Sequence, residues 1–154
     1  MLEIRRATLA DSDAILACLA AAFSPYQSAY TVEAFRDTVL SRETIERRFA
    51  TATLFVASSA QQIVGTIGCY KESAQIGHIR GMAVLCDWQG RGVAAALLER
   101  AEEELRAGGC ARVTLDTTTP LSRAIRFYEN HGYRPTGRVA EFFGMPLHEY
   151  AKQL

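Results

Sequence analysis

The sequence predicts a mixed α/β domain whose early strands pair antiparallel and whose later strands include a parallel pair about a central strand. Three observations lead there. Two strand-like runs, Thr53–Ala57 and Ile63–Tyr70, are separated only by the polar turn Ser58–Gln62, the pattern of an antiparallel hairpin. Apolar residues recur at spacings of three and four before Ser24 and again after Gly92, the period of amphipathic helices. The run Ile76–Leu85, the helix after Gly92 and the strand around Val113 and Leu115 follow one another, an order that implies two parallel strands joined by a right-handed crossover. At 154 residues with 49% hydrophobic content, one domain spanning 1–154 can bury a continuous core.

The elements follow in chain order. Leu2–Arg5 alternates apolar and polar, as an edge or half-buried strand does. Thr8-Leu9-Ala10-Asp11 offers a capping box, after which Ala14, Ile15, Cys18, Leu19 and Ala22 share a core-forming helical face that Ser24-Pro25-Tyr26 stops. Thr31 to about Phe49 is helical with a break near Ser41, and its Arg36, Arg42, Glu43, Glu46, Arg47 and Arg48 predict a solvated face. In the hairpin, Gly65 and Gly68 allow a bulge or a close backbone approach. Val93, Leu97, Leu98, Ala101 and Leu105 form one helical face, with Glu99, Arg100, Glu103 and Arg106 away from it and Gly108-Gly109 as its end. Thr119 can cap the next helix with Pro120 at its first position, and Leu121, Ala124, Ile125 and Tyr128 share a face that ends at Gly132. Strands around Tyr133–Val139 and Met145–Tyr150 close the chain, with turns at Gly137 and Gly144-Met145-Pro146.

Charge and cysteine usage narrow the function classes. Lys plus Arg and Asp plus Glu number 17 each, so no overall field draws in nucleic acid or an anionic membrane surface. The cysteines Cys18, Cys69, Cys86 and Cys110 are scattered, and no histidine stands at metal-ligand spacing, so thiols and no metal site are expected. No signal-peptide pattern opens the chain and no apolar run approaches the ~18 residues of a membrane span. A cytoplasmic location is the expectation.

The stretch Met82 to Leu98 carries the strongest functional signal. A strand-like run breaks at Cys86-Asp87, passes through Gly90-Arg91-Gly92 and enters a helix, leaving backbone amides at the helix N-terminus beside the charge of Arg91. Glycines there let a ligand approach without meeting a Cβ, which suits a phosphate ester. The third glycine of a dinucleotide fingerprint is missing, and no Gly-Lys-Ser/Thr closes a P-loop. Gln89-Gly90-Arg91-Gly92-Val93-Ala94 resembles the Gln/Arg-x-x-Gly-x-Gly/Ala signature of the GCN5-related N-acetyltransferases, the GNAT superfamily. Ala124-Ile125-Arg126-Phe127-Tyr128-Glu129-Asn130-His131-Gly132-Tyr133 looks like that family's later motif, at the usual distance downstream; where the family often has Asn three positions before Ala124, this chain has Leu121.

The resemblance implies the GNAT fold: a mixed sheet of about six to seven strands with a splayed parallel pair, flanked by about four helices. It further implies acetyl-coenzyme A as cosubstrate. Met82, Ala83 and Val84 would offer main-chain groups to the pantetheine and acetyl carbonyl, and Gln89, Gly90, Arg91, Gly92, Val93 and Ala94 would surround the pyrophosphate. Tyr26 and Tyr30 would belong to the acceptor wall, and Tyr128 would be the acid for the leaving thiolate.

Attack of a neutral amine on a thioester generates an oxyanion, which a backbone N–H near Val84, freed by a bulge, could stabilise. An alkylammonium acceptor must also lose a proton. His78 is the first candidate base, sharing strand parity with Arg80, Met82 and Val84 if no bulge intervenes, and Glu72 is the second. His131 reads as a helix-end residue, while His148 and Glu141 lie where substrate choice could be tuned. The expected activity is N-acetylation of a primary amine by direct transfer in a ternary complex, with a small-molecule acceptor favoured over a protein N-terminus or lysine. The alternative is a non-catalytic acyl-coenzyme A sensor or interaction module of the same fold. Exposed strand edges leave a homodimer open.

Overall fold

The computed structural model describes residues 1–154. Seven strands form one sheet: β1 (Leu2–Arg6), β2 (Thr53–Ser59), β3 (Gln62–Lys71), β4 (Ile76–Val84), β5 (Arg112–Thr118), β6 (Arg134–Phe142) and β7 (Met145–Gln153), in the spatial order β1-β2-β3-β4-β5-β7-β6. Every neighbouring pair is antiparallel except β4 and β5, which are parallel. The five α-helices are α1 (Ser12–Phe23), α2 (Val32–Thr38), α3 (Arg42–Thr51), α4 (Val93–Ala107) and α5 (Ser122–Asn130). The expected count of about four becomes five because the break near Ser41 is complete. The Ser41 side chain caps α3 by accepting from the Thr44 N–H, so α2 and α3 are separate helices.

Two apolar cores cover the two faces of the sheet. On one face α4 and α5 pack on β2 to β5 through Leu97, Leu98, Ala101, Leu105 and Tyr128. On the other face α1 and α3 supply Ile15, Cys18, Leu19 and Ile45 against Leu54, Val56 and Ala83. Helix α4 lies so close to the sheet that a Cβ on Gly65 would come within 2.9 Å of Leu97, the close approach expected of a strand glycine.

Several local expectations change. The capping box at Thr8 and Asp11 forms, but it starts a short 3-10 turn, and α1 begins at Ser12 with Ala14 exposed. Thr119 and Pro120 do not start the last helix. Strand β5 stays paired with β7 through Thr118, so residues 118–121 make the turn and α5 opens at Ser122 after Leu121. Arg48 is only 9% exposed because, with Ile45, it falls on the inward stripe of α3.

A buried ionic contact ties α4 to the C-terminal strands. Glu102, 5% exposed, accepts from the Tyr133 hydroxyl at 2.7 Å and from Lys152 Nζ at 3.1 Å. Lys152→Met would strip the cation from a carboxylate that stays buried, so stability should fall by about 2–3 kcal/mol. Urea unfolding midpoints test this, and adding Glu102→Gln, which removes the unpaired charge and still accepts from the Tyr133 hydroxyl, should recover part of the loss.

Candidate functional site

The parallel pairing of β4 and β5 stops early. Partners run from Ile76↔Arg112 to Ile79↔Leu115, after which Arg80–Val84 and Asp116–Thr118 diverge, while β4 keeps β3 and β5 keeps β7. The split opens a cleft of about 740 Å³ lined by β4, β5, the turn after β4, α5 and the segment from Ala22 to Thr38. Its size is that of a site for a small ligand.

The diverging half of β4 is bulged. Arg80 pairs with Gly68 and Ala83 with Thr66, so Gly81 and Met82 stand together opposite Ile67. Gly81 takes φ +67°, a conformation that side chains beyond Gly rarely adopt. The extra residue reverses the alternation. His78, Arg80 and Ala83 lie on one face, opposite Tyr70, Gly68 and Thr66, whereas Ile79 and Val84 lie on the other. The expected shared parity of His78 with Val84 is therefore wrong, for the reason that a bulge intervenes.

At the end of β4, Leu85 leads through a 3-10 turn (Cys86–Trp88) to Gly92, the N-cap of α4. Gly90 and Gly92 have φ of +76° and +84°, and nothing lies within 4 Å of where their Cβ atoms would be. The first backbone bond of α4 runs from the Ala96 N–H to the Gly92 carbonyl at 3.1 Å, and no N–H from Gly90 to Ala95 has a protein acceptor. Six consecutive amide donors at a helix N-terminus form a site for an anion. Arg91 stacks on Trp88 with its guanidinium 5.0 Å from the ring centroid. Gln89 turns back, its Nε2 donating to the Val84 carbonyl at 3.2 Å. The Val93 side chain is buried in the core at 1% exposure, so only its N–H faces the turn. Gln89, Gly90, Gly92 and Ala94 line the cleft together with Met82, Ala83 and Val84.

Further along, α5 brings Tyr128 to the cleft wall at 7% exposure. Burial pushes its phenol pKa up, so the group stays protonated, and its hydroxyl has no protein partner. Leu121 lines the same wall, and Thr117 nearby carries a buried hydroxyl without any partner. An orphaned hydroxyl on a cleft wall is a group that a bound molecule can satisfy.

The opposite end of the cleft gathers the titratable groups. His78 Nδ1 is 2.8 Å from Thr114 Oγ1 and its Nε2 is 3.5 Å from Asp116 Oδ2, with the ring against Tyr70 at 5.4 Å between centroids. Burial lowers the His78 pKa, with the Asp116 charge acting the other way, so the neutral imidazole is favoured. Burial also raises the pKa of Asp116. The tautomer that donates from Nδ1 to Thr114 leaves Nε2 free to accept a proton.

Tyr26 and Tyr30 both line the cleft, and the Tyr30 hydroxyl bonds to Thr118 Oγ1 at 2.6 Å, pinning the 24–30 segment against β5. Glu72 is exposed in the β3–β4 turn, and neither it nor Glu141 or His148 lines the cleft. His131 Nδ1 bonds to the Phe127 carbonyl at 2.8 Å, as a helix-end residue does. Sequence reasoning missed Asp116, Thr114 and the inward Arg48. The available signal was that Thr114 and Asp116 alternate with the apolar Val113 and Leu115.

Residues 15–133 match the model of the Acetyltransferase (GNAT) family. Among curated proteins, an aminoglycoside N(6')-acetyltransferase type 1 of Stenotrophomonas maltophilia is 34% identical over 76 residues, 49% of each chain. An N-alpha-acetyltransferase of Arabidopsis thaliana is 28% identical over 93 residues, 58% of this chain and 48% of its own. The chain thus spans about half the length of these curated relatives. Among solved structures, a Thermoplasma acidophilum N-acetyltransferase in complex with coenzyme A superposes with a TM-score of 0.82 at 15% identity, covering 100% and 99% of the two chains. The ribosomal-protein-S18-alanine N-acetyltransferase of Escherichia coli gives 0.79 at 18% identity, covering 99% and 94%.

Proposed function

The chain belongs to the GNAT acetyltransferase family, and from that premise we propose that it acts as a single domain over 1–154, transferring the acetyl group of acetyl-coenzyme A to the primary amine of a small molecule. One observation carries the reading: six amide donors without acceptors, Gly90 to Ala95, stand at one end of a cleft that continues along the unzipped edges of β4 and β5. The residues present fit coenzyme A. The amides and Arg91 suit its pyrophosphate, the edge of β4 from Met82 to Val84 that β5 leaves unpaired suits its pantetheine amides, and the orphaned Thr117 hydroxyl lies on the same path. The relatives named for aminoglycoside and N-alpha acetylation support an amine acceptor in general, not one in particular.

Acetyl-coenzyme A supplies an activated acyl carbon and a thiol leaving group. His78, through Nε2, takes the proton that an ammonium acceptor must lose, and Asp116 stabilises the imidazolium so formed. The amine nitrogen then bonds to the acyl carbon as the carbon–sulfur bond breaks. Backbone donors of the Gly81–Met82 bulge hold the carbonyl oxygen as charge develops on it. The Tyr128 hydroxyl gives its proton to the departing sulfur, which leaves as the free thiol, and is restored by the second proton that the nitrogen sheds as the amide forms, passed back through water. In balance, one ammonium and one thioester give one amide, one thiol and one proton.

Calorimetric titration with acetyl-coenzyme A, followed by amine-dependent thiol release, tests the reading. Absence of binding by folded protein would sink it. For the base, activity needs the neutral imidazole, so kcat/KM should fall as pH drops through a His78 pKa that burial has set below the usual ~6.5. His78→Gln should remove that acidic limb and lower kcat by about 100-fold; a profile unchanged by the substitution would clear His78 of the role.

A further inference from the structure

The acceptor end of the cleft holds a cation that the transfer chemistry does not use. Arg48 reaches it from α3 at 9% exposure, yet its guanidinium forms no ion pair and no side-chain hydrogen bond. Asp37, the carboxylate beside it, is paired instead with Arg80 at 3.6 Å. Arg48 Nη1 lies against the β4 bulge, 2.9 Å from where a Cβ would stand on Gly81. It is therefore next to the backbone proposed to hold the acyl oxygen. Burial, and after it the charge of Arg80, pull the Arg48 pKa down to about 10, so the group stays cationic at neutral pH.

A buried charge without a partner costs stability, and an apolar side chain of similar length would sit in the same place without that cost. Asp37 pairs with Arg80 and not with Arg48, which leaves the Arg48 charge without a partner at the cleft. Two residues back on the same face of β4, about 7 Å along the strand, stands the second charged station, His78 with Asp116. Tyr70 packs against His78, and both line the same cleft as Arg48, Arg80 and Asp116, so the two stations face one space.

We infer that the acceptor is a zwitterion, an amino acid or close analogue, whose carboxylate is held by Arg48 together with Arg80 while its amine faces His78 and Asp116. The inference rests on the acetyltransferase reading above and specifies its substrate class. A guanidinium fork matches a carboxylate through two parallel hydrogen bonds, the geometry by which arginine recognises that group. Asp37 is paired with Arg80 and leaves the Arg48 guanidinium to the ligand.

The test assays each standard amino acid beside its α-carboxamide, with saturating acetyl-coenzyme A and thiol release as the readout. At least one amino acid should exceed its amide by about 30-fold or more in kcat/KM, because the amide leaves the buried guanidinium unpaired. Arg48→Met should collapse that ratio to within about threefold, chiefly through KM of the amino acid, and Arg48→Lys should restore part of it. Thermal unfolding separates a binding role from a structural one: the melting temperature of Arg48→Met should equal or exceed that of the parent, since an unpaired buried charge is removed. Amides acetylated as fast as their acids would overturn the inference. So would a marked loss of stability in Arg48→Met, or no amino acid acetylated by protein that binds acetyl-coenzyme A. Failure to bind acetyl-coenzyme A would instead overturn the acetyltransferase reading, and this inference with it.

Discussion

Gly92→Glu is expected to weaken acetyl-coenzyme A binding by more than about 100-fold, roughly 2.7 kcal/mol, while the protein stays folded. Gly92 sits at φ +84° as the N-cap of α4, with open space where a side chain would project. A side chain at that φ costs about 1–2 kcal/mol, and a carboxylate at a helix N-terminus returns about 0.3–1 kcal/mol of it, so the melting temperature should move by only a few degrees. The new carboxylate would occupy the amides from Gly90 to Ala95 and repel a pyrophosphate from them. Arg91→Ala should cost less, about tenfold, because that guanidinium is exposed and already stacked on Trp88. Calorimetry on the two variants measures both. If Gly92→Glu binds the cofactor as the parent does, the anion site is elsewhere.

Tyr128→Phe should lower kcat by about 100-fold and leave the cofactor dissociation constant within about threefold of the parent. The hydroxyl makes no bond to protein, so its removal leaves no partner orphaned, and the ring remains packed against Phe127 and Tyr133. Because burial raises its pKa, Tyr128 does not ionise in the working range. Its contribution is a proton or a strong hydrogen bond offered once negative charge builds on sulfur. Single-turnover and binding measurements separate the outcomes: a loss confined to cofactor affinity would make Tyr128 a wall residue, and a non-catalytic sensor would have no acceptor-dependent rate to lose.

Much of this molecule is written in local patterns. The periodic faces of α1 and α4, the β2–β3 hairpin and the Gly-x-Gly turn all depend on residues within a few positions of one another, and apart from the exposed Ala14 each lies where the local pattern puts it. The anion-binding turn was legible for the same reason: glycine, a helix start and missing acceptors are properties of one short stretch. The charged end of the cleft was not. His78 meets Thr114 and Asp116 only because β4 and β5 pair in one parallel register, and no local signal sets a register between strands 36 residues apart.

Sequence alone thus determined the element order, the two amphipathic helix faces and the phosphate-type turn, because backbone propensity and apolar period act over a few residues. Tertiary structure alone decided three things: that the bulge falls at Gly81–Met82 and so turns Val84 away from the face of His78, the inward placement of Arg48, and the meeting of His78 with Asp116. Each depends on which strand or helix lies alongside, and pairing and packing between distant segments leave no trace in the spacing of either one.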